Sequence, residues 1–201
     1  TQPLVLVVKV DSKLKTVEDL IDSIKKNPGK MTMGHSGIGA TSHFSGELFR
    51  ATTKTNFKMV PFQVESQAKV ALLGGHIDFA VMGYPTSMGP LASGDLRALA
   101  TFEDERIPEI KNVPTVKERG YPDAVMYSWF GFVAPPKTPK VIVEKLEASM
   151  KYGITDPGAR EVLRKAGFRE AYKDREELRK FMKWELDRFT VIAKEQKITV
   201  E

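Results

Sequence analysis

The sequence predicts an α/β fold built on a doubly wound sheet. Over about the first 100 residues, strand-like segments alternate with segments of helical periodicity. The strand-like segments are short, continuous apolar runs, which are typical of strands covered by helices on both faces. A chain of 201 residues is long enough for one ordinary domain or two small ones.

The elements of this alternation follow one another from the first residues. The run PLVLVVKV predicts the first strand, and Val17, Leu20, Ile21 and Ile24 give the next segment helical spacing before NPG ends it. The remaining elements are, in order, the strand KMTMGHS, a helix with Phe44, Leu48 and Ala51 on one face, the strand NFKMVPF, the helix ESQAKVALLGG, and the strands IDFAVMG and LRALATF.

The composition changes after Asp104. The segment RIPEIKNVPTVKERGYPDAV contains three prolines and predicts a connecting or lid segment. Residues 127–134 predict one more strand, and helices are predicted at 139–152, 157–166 and 175–195. These helices have only that strand and the weak segment FREAY to pack against, so the C-terminal part has too little sheet to form a domain by itself.

The composition excludes several classes of function. The absence of cysteine excludes disulfides, thiolate catalysis and cysteine zinc sites. The net charge of +5 is spread over helices that mix acidic and basic residues, without a basic stripe interleaved with aromatics, so no nucleic-acid partner is predicted. The opening apolar run lacks a preceding basic region and is interpreted as a buried strand, not as a signal peptide.

The loop SGIGATSHF joins a predicted strand to a predicted helix and is the main candidate for a ligand site. The first turn of a helix leaves backbone N–H groups unpaired, and glycines let an anion approach them. Ser36, Thr41 or Ser42 could add a hydroxyl. The spacing fits neither a P-loop nor a dinucleotide fingerprint. From these residues alone, a tight turn with a threonine N-cap is an equal alternative.

Catalysis has little support in the sequence. His43 lies in the first turn of the predicted helix, where the helix dipole disfavours its charged form, so a neutral hydrogen-bonding role is favoured. His35 and His76 lack partners at ligand spacing, which argues against a metal site. No G-x-S-x-G pattern occurs. The chain is therefore predicted not to be an enzyme and to need no cofactor.

Two further loops follow strands at the same predicted edge of the sheet. The first is VPFQVESQAK, with Ser66 as a candidate N-cap, and the second is VMGYPTSMGP. Together with the glycine loop they would form half of a ligand cup. Its predicted lining is Phe62, Gln63, Tyr84, Thr86 and Ser87. For Phe62 and Tyr84, packing beneath the loops is the alternative.

Five phrases together resemble the tripartite tricarboxylate transporter substrate-binding proteins, the Bug or TctC-like family. They are NPGKMTMGHSGIGATSHFSGELF, LLGGHIDFAV, GDLRALAT, NVPTVKERGYP and WFGFVAPPKTPKVIVEKLEAS. They occur in the family's order and spacing and cover about residues 3–198. The resemblance implies a periplasmic-binding-protein-like (type II) two-lobe clamshell that is periplasmic. Such a protein delivers a small organic carboxylate to the membrane components of a tripartite transporter, without catalysis, metal or cofactor.

The resemblance also implies a division of the chain between two lobes. Residues 9–125 would form the second lobe, and residues 1–8 and 126–201 would be the crossover strand and the C-terminal part of a first lobe. The N-terminal part of that first lobe would be missing here. An incomplete lobe exposes apolar surface and strand edges, so a homo-oligomer or strand exchange is expected.

The family's carboxylate loop corresponds to a continuous run here, with one histidine just behind it. These positions are Ser36, Gly37, Ile38, Gly39, Ala40, Thr41 and His43. The second loop departs from the family's tyrosine–lysine–glycine, because Phe62, Gln63 and Val64 stand there. Without the phenol and ammonium, the ligand is expected to be a less polar monocarboxylate or an aromatic acid. The alternative function is the effector-binding domain of a transcription regulator with the same clamshell.

Overall fold

The computed structural model describes residues 1–196, which contain one five-stranded mixed sheet with helices on both faces. The strands are β1 (Leu4–Lys9), β2 (Thr32–His35), β3 (Lys58–Pro61), β4 (Phe79–Gly83) and β5 (Leu96–Thr101). The helices are α1 (Val17–Lys26), α2 (Thr41–Thr53), α3 (Glu65–Leu73), α4 (Tyr84–Ser93), α5 (Lys140–Thr155), α6 (Pro157–Lys165) and α7 (Arg175–Glu195). This architecture confirms the predicted α/β class. The predicted C-terminal segment continues to 201, and residues 197–201 lie outside the described part.

The order of the strands is β3-β2-β4-β1-β5. Strand β2 is parallel to both β3 and β4, whereas β1 is antiparallel to β4 and β5. The carboxyl ends of β2, β3, β4 and β5 therefore lie at one edge of the sheet, together with the start of β1. The loops predicted to hold a ligand all leave the sheet at this edge, as the topology of such folds requires.

Strand β1 is a buried interior strand of the sheet, between β4 and β5. Leu4, Leu6 and Val8 pack with α1 and α2 on one face, while Val5 and Val7 pack with α3 on the other. A strand with apolar residues on both faces must be covered on both sides, which explains its continuous apolar sequence. Residues 1–8 were predicted to be the crossover strand and part of the first lobe. In the structure β1 pairs with β4 and β5, and the division into lobes stays a prediction.

Two segments differ from the expected secondary structure. The residues after β4 were predicted as a loop, but they form α4, with Pro85 in the first turn, where its missing N–H removes no helical hydrogen bond. Residues 127–134 were predicted as a strand, and that prediction is wrong. Only Ser128 forms a bridge, to Gln2, and Phe132 and Val133 are 77% and 86% exposed. An apolar run becomes a strand only beside a partner strand.

Helix α7 packs against the helices and loops that surround the sheet. Phe189 of α7 stacks on Phe44 of α2 with ring centroids 4.7 Å apart. The guanidinium of Arg188 donates to the carbonyl oxygens of Asp123 and Val125, each at 2.9 Å. Helix α5, by contrast, has no buried residue among the part of the chain described. No helix within residues 1–196 has both the length and the apolar character needed to cross a membrane.

Candidate functional site

Three loops lie side by side at the carboxyl edge of the parallel strands. The first (residues 36–40) follows β2, the second (62–64) follows β3, and the third is the junction of β4 with α4. The N–H of Phe62 donates to the carbonyl oxygen of His35 at 2.9 Å and ties the second loop to the end of β2. Because β2 lies between β3 and β4, the first loop is the centre of this group.

The start of α2 is open to an anion. The N-cap is Ala40, not the threonine considered from sequence, and it offers no side-chain cap. Within residues 1–196, the backbone N–H groups of Thr41, Ser42 and His43 have no acceptor. The first turn carries no acidic side chain either. The unpaired donors and the positive end of the helix dipole therefore remain available.

Two glycines shape the loop that precedes this helix. Gly37 and Gly39 have φ angles of 105° and 81°, a backbone region that residues with a side chain rarely adopt. Gly39 is exposed, and a Cβ atom there would meet no other heavy atom within 4 Å. Ile38, between the two glycines, is 57% exposed. The loop thus presents open backbone next to the start of α2.

A pair of serines closes the base of the loop. The N–H of Ser36 donates to Oγ of Ser42 at 3.0 Å, and the two hydroxyl oxygens are 2.8 Å apart. Since either hydroxyl can be the donor, one of the two protons is free to point toward a ligand.

Two histidines support the loop from below, in complementary tautomers. The N–H of Gly39 donates to Nδ1 of His43 at 3.2 Å, so this nitrogen carries no proton. The proton of His43 is then on Nε2, which lies 3.8 Å from Oε1 of Glu47. His35 does the reverse, with Nδ1 donating to the carbonyl oxygen of Gly37 at 3.0 Å. The two rings stack with centroids 4.6 Å apart.

Burial keeps this histidine pair neutral. Burial, followed by the nearby His35 and Arg50, lowers the pKa of His43 to about 4. Burial also lowers the pKa of His35 and raises that of Glu47, although Arg50 Nη2 lies 2.5 Å from Glu47 Oε2. A neutral hydrogen-bonding His43 was expected from sequence; burial, more than the helix dipole, is the cause.

The other predicted lining residues differ in accessibility. Phe62 is partly buried and packs in the core cluster on the α3 face, whereas Gln63 is exposed. Tyr84 is only 5% exposed within the same cluster, so the packing alternative describes its ring. The N-cap of α3 is Val64 and not Ser66.

Glu65, which sequence analysis did not single out, joins the second loop to the third. Its Oε1 accepts the N–H of Gly83 at 3.1 Å, and its Oε2 accepts the hydroxyl of Thr86 at 2.8 Å. The only local signal was an acidic residue in the first turn of a helix, which predicts a favourable dipole interaction. Nothing in that signal indicates a partner 18 residues away.

This arrangement can hold an anion, and it lacks the contacts that would activate a nucleophile. Nδ1 of His43 accepts a backbone N–H and its Nε2 faces a carboxylate, so neither nitrogen is placed to take a proton from Ser36 or Ser42. Among residues 1–196, no group of three or more His, Asp or Glu side chains is arranged to hold a metal ion.

A family model and several curated proteins match this chain. The family model described as "Tripartite tricarboxylate transporter family receptor" matches residues 1–198. Protein BugT of Bordetella pertussis is 37% identical over 142 residues, which cover 70% of this chain and 44% of BugT. A UPF0065 protein of Pseudomonas sp. strain P51 is 30% identical over 100% of this chain and 58% of its own length.

Solved structures agree with this match. A structure described as a periplasmic transporter has a TM-score of 0.89 and 31% identity, covering 100% of this chain and 67% of that one. An R. palustris protein with adipate has a TM-score of 0.88 and 27% identity, covering 96% of this chain and 64% of that one. The chain thus spans about three-fifths of the length of curated relatives such as the Pseudomonas protein. With its fold, its loop sequence and a family model that covers nearly all its residues, this chain belongs to the tripartite tricarboxylate transporter receptor family.

Proposed function

We propose that the chain is the larger part of an extracytoplasmic solute-binding protein that captures a small organic carboxylate and presents it to a tripartite transporter. The observation that carries this proposal is the open start of α2. Three backbone N–H groups without acceptors point from a helix end that has neither an N-cap side chain nor an acidic first turn. Hydrogen bonds from such donors to a carboxylate are short and charge-assisted.

The ligand residues in this proposal are those of the first loop and its supports. Ser36, Gly37, Ile38, Gly39, Ala40 and Thr41 form the loop that meets the ligand. Ser36 and Thr41 bring hydroxyls, Thr41 also brings an unpaired backbone N–H, and the His43 side chain fixes the loop from below. Phe62 and Gln63 border the site from the second loop, and Tyr84 supports the third loop from the core. Binding needs no covalent step, so the proposed protein is a receptor and not an enzyme.

The similarities support the ligand class and the location. The R. palustris relative was solved with adipate, a small carboxylate. BugD, with a TM-score of 0.85 and 26% identity, is described as a periplasmic binding protein. By this reasoning the protein is periplasmic and hands its ligand to the membrane components of its transporter. The effector-binding alternative gains no support, because the matching family model describes a transporter receptor.

The division into two lobes stays part of the proposal. Residues 9–125 would be the second lobe and residues 1–8 the crossover strand, while residues 126–201, with the helices from α5 to α7, would belong to the first lobe. Closure of the lobes around the ligand would then create the surface that the membrane components of the transporter recognise. Residues 130–133 and α5 are largely exposed, as expected if the rest of the first lobe covers them. A second copy of the chain could cover the same surface, so self-association is expected as well.

A glycine substitution tests the site directly. In the full-length protein, Gly39→Leu would place a side chain in the space assigned to the ligand, where its Cβ atom would meet no other heavy atom within 4 Å. Gly75→Leu is the matched control, because Gly75 also has a positive φ angle and open space around its Cβ, away from the three loops. Calorimetry with a panel of mono- and dicarboxylates is the measurement.

Two results would overturn the proposal. One is the absence of saturable binding by any carboxylate in the wild-type protein. The other is a Gly39→Leu variant that binds as tightly as Gly75→Leu, which would remove the first loop from the site. We expect Gly39→Leu to lose carboxylate binding while its unfolding temperature stays close to that of Gly75→Leu. Both substitutions put a side chain on a residue with a left-handed backbone, which destabilises the folded state by a similar amount.

A further inference from the structure

We propose that Glu65 is a specificity-determining residue, which makes this lobe favour ligands with one carboxylate and an uncharged far end. The proposal rests on the carboxylate-binding function proposed above and adds the part of the ligand that the anion loop does not hold. Glu65 lies outside the carboxylate loop, which corresponds to residues 36–41.

The position of Glu65 places its charge beside the anion loop. Glu65 follows β3, yet its carboxylate bonds to Gly83 at the end of β4. Strand β2 lies between these two strands, and Ser36 begins the anion loop at its end. The Glu65 side chain therefore reaches past the base of that loop. With neighbouring strands about 4.8 Å apart, the carboxylate lies within about 10 Å of the loop.

The hydrogen bonds of Glu65 hold its carboxylate at this place. One oxygen accepts the backbone N–H of Gly83 and the other accepts the hydroxyl of Thr86. Across residues 1–196, no Lys, Arg or His nitrogen comes within ion-pair distance of it. The charge is fixed and is not neutralised by a neighbouring side chain.

The three loops offer no cationic side chain to a second negative group. Residues 36–41, 62–66 and 83–87 contain no Lys or Arg. The N–H of Gly83 is already taken by Glu65. A second carboxylate of a ligand that extends toward the second and third loops would meet Glu65 without a compensating cation, and like charges repel at this range.

The same loops suit an apolar ligand chain. Phe62 is partly buried at the edge of the core cluster, and Val64 is 51% exposed. Together they give an uncharged ligand tail an apolar surface to cover, and covering such surface is favourable. The first loop thus attracts the carboxylate end of the ligand. Glu65, beside that loop, repels a negative charge at the other end.

Three ligands of equal chain length test this assignment in the full-length protein. Hexanoate has one carboxylate, adipate has two, and monomethyl adipate replaces the second charge by a neutral ester. Calorimetry at neutral pH should show that wild type binds hexanoate and monomethyl adipate about tenfold more tightly than adipate, a difference typical of one uncompensated like charge nearby.

Variants then separate charge from loop structure. Glu65→Gln keeps an acceptor for Gly83 and a polar partner for Thr86, and it should reduce the hexanoate-to-adipate ratio to within about twofold. Glu65→Asp keeps the charge and should keep the preference for hexanoate. Asp22→Asn on the exposed face of α1 makes the same change of net charge away from the loops and should leave the ratio at the wild-type value.

The outcomes distinguish this proposal from the function on which it rests. Carboxylate binding with a ratio that Glu65→Gln does not change, or a wild type that prefers adipate, overturns the role of Glu65 and leaves the carboxylate receptor intact. Binding of no carboxylate at all overturns both. A change of ratio in Asp22→Asn equal to that in Glu65→Gln would assign the effect to net charge and also overturn the proposal.

Discussion

The backbone N–H of Gly39 donates a hydrogen bond to Nδ1 of His43 over 3.2 Å, so a buried imidazole fixes the conformation of an exposed loop. The same ring stacks on His35, whose Nδ1 binds the carbonyl oxygen of Gly37. The two left-handed glycines of the anion loop are thus each held by one histidine. His43 is a positioning residue in the proposed site, because it acts on the ligand through the loop.

Replacing His43 tests this positioning. His43→Phe keeps a ring to stack on His35 but leaves the N–H of Gly39 without its acceptor, so we expect carboxylate affinity to fall about tenfold, the cost of about one hydrogen bond. His43→Asn places Oδ1 near the former Nδ1 and should restore most of the affinity. Calorimetry measures both, and His76→Asn, at an exposed position, is the control. Equal affinities for all three variants would contradict the prediction.

The lowered pKa of His43 predicts how stability depends on pH. The unfolded imidazole takes up a proton near pH 6.5, whereas the folded one does so only at about pH 4. The unfolded state therefore binds more protons between these values, and stability is lost as the pH falls from 6.5 toward 4. A shift of this size corresponds to at most about 3 kcal/mol. Urea unfolding at pH 7 and pH 4.5 should show a smaller loss in His43→Phe than in wild type.

Glu103 predicts the opposite trend at higher pH. This carboxyl is 6% exposed at the end of β5, and burial raises its pKa to about 7 despite Arg169, whose Nη1 lies 3.7 Å from Oε2. The folded state binds more protons between about pH 4.5 and 7, so stability falls as the pH rises through that range. Glu103→Gln should flatten this slope and stabilise the protein at pH 8 by about 1–2 kcal/mol. Glu105→Gln, an exposed neighbour, should leave the unfolding free energy at pH 8 unchanged.

The stacked pair Phe44 and Phe189 predicts how firmly α7 is attached. Both rings are partly buried, so Phe189→Ala should cost about 2 kcal/mol, less than a fully buried phenylalanine. Phe132→Ala, at a position 77% exposed, is the matched control and should cost far less. Chemical unfolding measures both. A negligible effect of Phe189→Ala would contradict this packing of α7 on α2.

The sequence predicts best what is decided locally. The five strands of the sheet and helices α1 and α7 follow from apolar runs and helical periodicity, and the glycines after β2 indicated a loop with accessible backbone. The sequence fails where a distant partner decides. Residues 127–134 carry an apolar strand pattern without a strand to pair with. The contacts of Glu65 were not predicted for the same reason. Its carboxylate accepts hydrogen bonds from Gly83 and Thr86, and these depend on where β4 lies in the sheet.

The position of β1 between β4 and β5 also governs the order in which the chain can fold. Leu4 pairs with Gly83, and Val5 pairs with Thr101, so β1 has no neighbour in the sheet until about 80 more residues follow it. Strands β2 and β3 are closer in sequence and can pair earlier. Until β4 and β5 arrive, the run LVLVV is an unpaired apolar strand, a segment prone to aggregation. Slow folding limited by this long-range pairing is the consequence of placing β1 between β4 and β5 in the sheet.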